Sequence, residues 1–104
     1  MRGEVWLVAL DPTVGSEIQK TRPCLIVSPD QLNDRLRTVI IAPLTSGSRP
    51  ARFRVATKFG GKAGLILLDQ VRAVDRKRLV KSLGPIGAGH LQACLAVLRE
   101  VFTD

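Results

Sequence analysis

The stretch KTRPCLIV, residues 20–27, sets an arginine directly ahead of a proline that opens an apolar run, and IIAPLTS, residues 40–46, sets a threonine just past another. A guanidinium fork and a hydroxyl donor can together stabilise charge on the oxygens of one phosphate. They suffice for phosphodiester chemistry when the substrate brings its own nucleophile, as the 2′-hydroxyl of RNA does. The protein then has only to align that oxygen with phosphorus and neutralise the developing charge. Arg22 and Thr45 are therefore the candidate catalytic pair. The plainer reading of Arg22 is a solvated residue at a strand entrance, and composition does not choose between the two.

What the chain lacks narrows the chemistry. It has a single histidine, His90, no carboxylates clustered at metal-site spacing, and two cysteines, Cys24 and Cys94, set among apolar neighbours with no CxxC pattern. Histidine-based ribonuclease chemistry, metal-dependent hydrolysis and thiol catalysis each need residues that are scarcely supplied. We expect no metal, no cofactor and two reduced core thiols. Neither a dinucleotide-binding nor a P-loop glycine pattern occurs, and His90 reads as a surface or capping residue of a helix.

For Arg22 and Thr45 to meet, the elements that carry them must be neighbours. Glu4 to Leu10 reads as a first strand that Asp11-Pro12 stops. The polar stretch PTVGSEIQKTR has no helical period and predicts a loop longer than a plain hairpin needs, and such loops in compact domains are usually functional. PCLIVSP and TVIIAPL are continuous apolar runs of central-strand length, with DQLNDRLR as one helical turn between them. If these strands pair antiparallel, the start of one lies beside the end of the other, and Arg22 and Thr45 fall at the same end of the sheet.

Beyond Thr45, RFRVATK predicts a strand on which Arg52 and Arg54 alternate with Phe53 and Val55, GGKAG a turn, LILLDQVRAVD one long strand, and RKRLVKSLGPIGAG a connector. Leu91, Cys94, Leu95, Leu98, Val101 and Phe102 recur at steps of three and four, the apolar face of a terminal helix that begins near Gly87 and Gly89. Five strands, one helix and no βαβ alternation predict a single domain over residues 1–104. It is mainly β with a C-terminal helix, a small, strongly bent antiparallel sheet or partly open barrel.

Sixteen basic residues against nine acidic ones leave a formal charge of +7, which suits a polyanion or an acidic protein segment as partner. Arg49, Arg52, Arg54, Lys58 and Lys62 fall in one stretch without an acid. The alternative for that stretch is a strand edge protected by charge. No apolar run approaches the roughly 20 residues of a membrane span, and MRGEVWLVALDP is unlike a secretory leader, so we expect a cytoplasmic protein with no membrane partner. A chain this small buries only about two thirds of its unfolded surface, and a homodimer would add buried area.

RGEVWLVALDPTVGSE, TRPCLIVSPD, IIAPLTS and GLILLDQVRAVDRKRL follow one another in an order and spacing that resemble the MazF/PemK toxins of bacterial toxin–antitoxin systems. The resemblance runs over nearly the whole chain. It implies an SH3-like, partly open barrel of the CcdB/MazF/PemK kind that forms a homodimer. It also implies sequence-specific cleavage of single-stranded RNA, mainly messenger RNA, without metal, leaving a 2′,3′-cyclic phosphate and a 5′-hydroxyl. Carried over, the arginine of the R-P motif is Arg22, for proton transfer and phosphate stabilisation, the threonine of P-L-T-S is Thr45, for the transition state, and Gln70 is a substrate contact. Guanidinium groups release a proton too reluctantly to be good general bases, which favours the electrostatic role.

The loop from Thr13 to Thr21 resembles the family's mobile gating loop, with Glu17 and Lys20 as its polar contacts. Family members are inhibited by an antitoxin whose acidic tail lies along a basic groove, and Arg52 and Arg54 offer one here. With one tryptophan, three phenylalanines and no tyrosine, base stacking is limited, so recognition falls to hydrogen bonds from the loops around Gly15 and from Ser46 to Arg49. Two other readings stay open. One is a CcdB-like, non-enzymatic inhibitor of gyrase, though the ending REVFTD lacks the Trp-Gly-Ile tail of those relatives. The other is a small basic binding module in which Arg22 has no chemistry.

Overall fold

The computed structural model describes residues 1–12, 14–17, 20–47 and 49–104. Its strands are β1 (Glu4–Ala9), β2 (Thr21–Ile26), β3 (Thr38–Thr45), β4 (Arg54–Phe59), β5 (Lys62–Leu67), β6 (Arg72–Asp75) and β7 (Leu79–Pro85), with a short helix α1 (Asp30–Asn33) and a terminal helix α2 (Ala88–Val101). All the strand pairs are antiparallel, in the order β4-β5-β3-β2-β1-β7, with β6 pairing β3 off that path.

β2 and β3 are central, as their apolar runs predict. Their continuous hydrophobicity has a simple cause: successive side chains go to opposite faces, and both faces are covered. Leu25, Val27, Ala42 and Leu44 join a cluster with Val5, Ile66, Leu68 and Cys94, against which Leu91, Val97 and Leu98 of α2 pack. Cys24, Ile26, Val39 and Ile41 join a second cluster with Val8, Leu10 and Val74. Between the two strands, α1 forms the single helical turn expected of DQLNDRLR.

Three expectations need correction. LILLDQVRAVD is not one strand: a 3₁₀ turn at Leu68–Gln70 divides β5 from β6, and the two halves pair with different ends of β3, Leu44–Thr45 and Thr38–Ile41 respectively. The connector expected at RKRLVKSLGPIGAG contains an edge strand instead, β7, paired to β1 with two register shifts. It lacks alternation because most of it is exposed, and Lys81 is a charge of the kind that guards an edge. Phe102 leaves the apolar face of α2: the helix ends at Val101 and Phe102, as its C-cap, is 77% exposed.

Candidate active site

β1 and β3 flank β2, with Trp6 opposite Cys24, Val8 opposite Arg22, and Cys24 opposite Pro43. Continuing the β2–β3 register two residues past Cys24–Pro43 sets Arg22 across from Thr45, and strand alternation sends both to one face. The two residues line a single concavity of ≈ 160 Å³, with Pro23, Leu44 and Ser46 on the same side. Thr45 Oγ1 accepts the N–H of Gly47 at 3.2 Å. That bond uses a lone pair of the hydroxyl and leaves its proton to donate to a ligand.

The rest of the lining comes from the β4–β5 hairpin: Thr57, Phe59, Lys62, Ala63 and Gly64. Gly60 and Gly61, both at positive φ, form its two-residue turn and set Phe59 opposite Lys62. Gly64 has a steric reason to be glycine, since a Cβ there would meet the Thr45 carbonyl oxygen at 2.7 Å. Thr57 contributes a buried hydroxyl with no hydrogen-bond partner among the described residues. Among the described residues, the cavity thus carries two cations and three hydroxyls on an otherwise uncharged lining.

A second concavity of ≈ 240 Å³ is lined by Leu10, Glu17, Pro43, Asp69, Gln70, Val71 and Arg72. Glu17 and Gln70, expected as RNA contacts, are brought together there. Glu17 also accepts the Val14 N–H at 2.6 Å and so braces its own loop. Lys20 is exposed at φ 67, its N–H bonded to Asp11 Oδ1 at 2.9 Å, and it lines neither concavity. Thr13, Ile18 and Gln19 of the expected gating loop, and Ser48 of the expected recognition loop, lie outside the described residues.

The three arginines of the cationic stretch differ in their surroundings. Arg49 is exposed, and its carbonyl accepts from the Arg54 guanidinium at 3.0 Å. Arg52 stacks its guanidinium 5.1 Å from the Phe53 ring centre. Arg54 grips Asp69 through two bonds of 3.1 and 3.0 Å, which hold its guanidinium above the usual range for arginine and tie β4 to the 3₁₀ turn. Sequence reasoning missed Lys62, Phe59 and Gly64; the F-G-G-K hairpin signature was the available sign that they share one end.

Burial pushes the Cys24 thiol up to about 12 and the Cys94 thiol up to about 11, so neither is a thiolate near neutrality. His90 is half-buried in the first turn of α2 and does not line the cavity. Among the described residues, no group of three or more His, Cys, Asp or Glu stands together to hold a metal ion.

The model of the PemK-like, MazF-like toxins of type II toxin–antitoxin systems matches residues 1–102. The chain belongs to this family. Escherichia coli endoribonuclease PemK is 46% identical over 81 residues, 73% of this chain and 61% of the relative, so the chain spans about three fifths of that protein's length. Staphylococcus epidermidis endoribonuclease MazF is 36% identical over 88 residues, 79% of this chain and 73% of the relative. The crystal structure of Deinococcus radiodurans MazF superposes with a TM-score of 0.83 at 27% identity, covering 95% of this chain and 92% of that one. This PemK/MazF member therefore has the open, mostly antiparallel sheet with a C-terminal helix that its motifs implied. Its Arg22 and Thr45, contributed by the R-P and P-L-T-S motifs, face one cavity. No helix among the described residues is long and apolar enough to cross a membrane.

Proposed function

We propose that residues 1–104 form one endoribonuclease domain that cuts single-stranded RNA, chiefly messenger RNA, at specific sequences without a metal, leaving a 2′,3′-cyclic phosphate and a 5′-hydroxyl. The single observation that carries this is the shared cavity of Arg22 and Thr45. With the scissile phosphate seated there, the 2′-oxygen attacks phosphorus in line with the 5′-oxygen. The Arg22 fork and the Thr45 hydroxyl, oriented by Gly47, then bond the non-bridging oxygens as they gain charge. In this reading Glu17 and Gln70, which line the second concavity, contact a neighbouring nucleotide, and their shared lining supports that role.

The formal charge of +7 supports RNA as substrate and a cognate antitoxin with an acidic tail as inhibitor, and the family supports both. We place the protein in the cytoplasm as a homodimer. The test is a long single-stranded RNA incubated with purified protein in chelator, with the cut ends mapped. Arg22→Ala and Thr45→Ala should each slow cleavage at least about 100-fold, the loss typical of one transition-state donor, while their folded signatures stay those of the parent. Full activity in both variants would remove the proposal.

A further inference from the structure

The reaction just described needs a proton that neither Arg22 nor Thr45 readily gives. When the P–O5′ bond breaks, the departing oxygen becomes an alkoxide unless a group beside it supplies H⁺, and a guanidinium holds its proton too tightly for that task. Among the described residues that line the cavity, none is a carboxylate or a histidine. Among the described lining residues the other cation is Lys62, and an ammonium is by nature a better proton donor than a guanidinium. The Gly60-Gly61 turn fixes the Lys62 backbone at the start of β5, opposite Phe59, and Lys62 lines the cavity together with Arg22 and Thr45.

Resting on the nuclease reading, we propose that Lys62 is a further catalytic residue, the general acid that protonates the leaving 5′-oxygen. The 2′-oxygen forms its bond to phosphorus and its proton passes to water. The P–O5′ electron pair goes to O5′, which takes a proton from Lys62 Nζ, and the neutral amine regains one from solvent. The products are the cyclic phosphate and the 5′-hydroxyl, with no net gain or loss of protons.

The test uses a short single-stranded RNA spanning a mapped cut, made once with its natural 5′-oxygen and once with sulfur in that bridging position, since a thiolate leaves without being protonated. Wild type should cut both. Lys62→Ala should cut the oxygen substrate about 100-fold or more slowly, within the range removed with a general acid, and the sulfur substrate near the wild-type rate. Lys62→Arg should stay slow on oxygen despite its retained charge, whereas Arg22→Ala should be slow on both. A Lys62→Ala protein equally slow on both substrates, or unimpaired on oxygen, would overturn the assignment. Wild type inert toward both RNAs would instead bring down the nuclease reading itself, and the assignment with it.

Discussion

Arg52 and Arg54 sit two residues apart in one cationic stretch, yet among the described residues Arg54 alone of the two forms an ion pair. The Arg52 guanidinium rests on Phe53, a contact that keeps the charge available to a phosphate, while Arg54 is clamped by Asp69. For an RNA that crosses this surface, Arg52→Ala should flatten the dependence of log affinity on log salt by about 0.7, the share of one phosphate contact on a single strand. Arg54→Ala should leave that slope almost unchanged and lower stability by up to about 1 kcal/mol, because a partly exposed ion pair contributes little. Filter binding across a salt series and urea denaturation together check both. The types of these residues were plain in the sequence. Their pairing was not, since Asp69 lies fifteen positions from Arg54 and no local periodicity links the two.

The connection between β2 and β3 decides whether Arg22 and Thr45 share a face, and a buried polar network holds it. Asn33, fully buried, accepts from Ser28 Oγ at 2.5 Å and donates to the Ser28 carbonyl at 2.8 Å, while Ser28 Oγ accepts the Ile40 N–H at 2.9 Å. The Asn33 carbonyl accepts from Arg76 as well. Asn33→Ala strands the Ser28 groups away from water and should cost about 1–3 kcal/mol, read as a lower urea midpoint, with cleavage little changed where the variant is folded. At this scale the central strands and the terminal helix were legible because burial on both faces, or on one stripe, leaves a periodic mark. β7 and the break at Leu68–Gln70 were not: an exposed edge strand has no inward face to mark, and a 3₁₀ turn of buried Leu68 beside polar Asp69 and Gln70 continues the strand's composition.

Across the whole molecule, Asp30 ties the first residues of the chain to the β2–β3 connection. The Arg2 N–H, the Asn33 side chain and the terminal ammonium 3.2 Å away hold its carboxyl below the usual range, the first being the largest cause. A lowered folded-state value contributes stability that is fully present above the unfolded carboxylate pKa, near 3.9, and is lost as pH falls through the folded value. Between about pH 5 and pH 2.5 the urea midpoint should therefore fall less steeply in Asp30→Asn than in the parent. A slope equal to the parent's would show that other carboxylates govern the acid limb.

The sequence by itself determined the β-rich class, the two central strands, the terminal helix and the Arg22–Thr45 pair, because each is written in residue type, short-range period or motif order. Tertiary structure alone decided that Arg54 is spent on Asp69, that Gly64 makes room for Thr45, and that Lys62 faces the same cavity as Arg22 from forty residues away. Those relations depend on how a hairpin folds over a sheet end, and distance along the chain carries no signal for distance across a cavity.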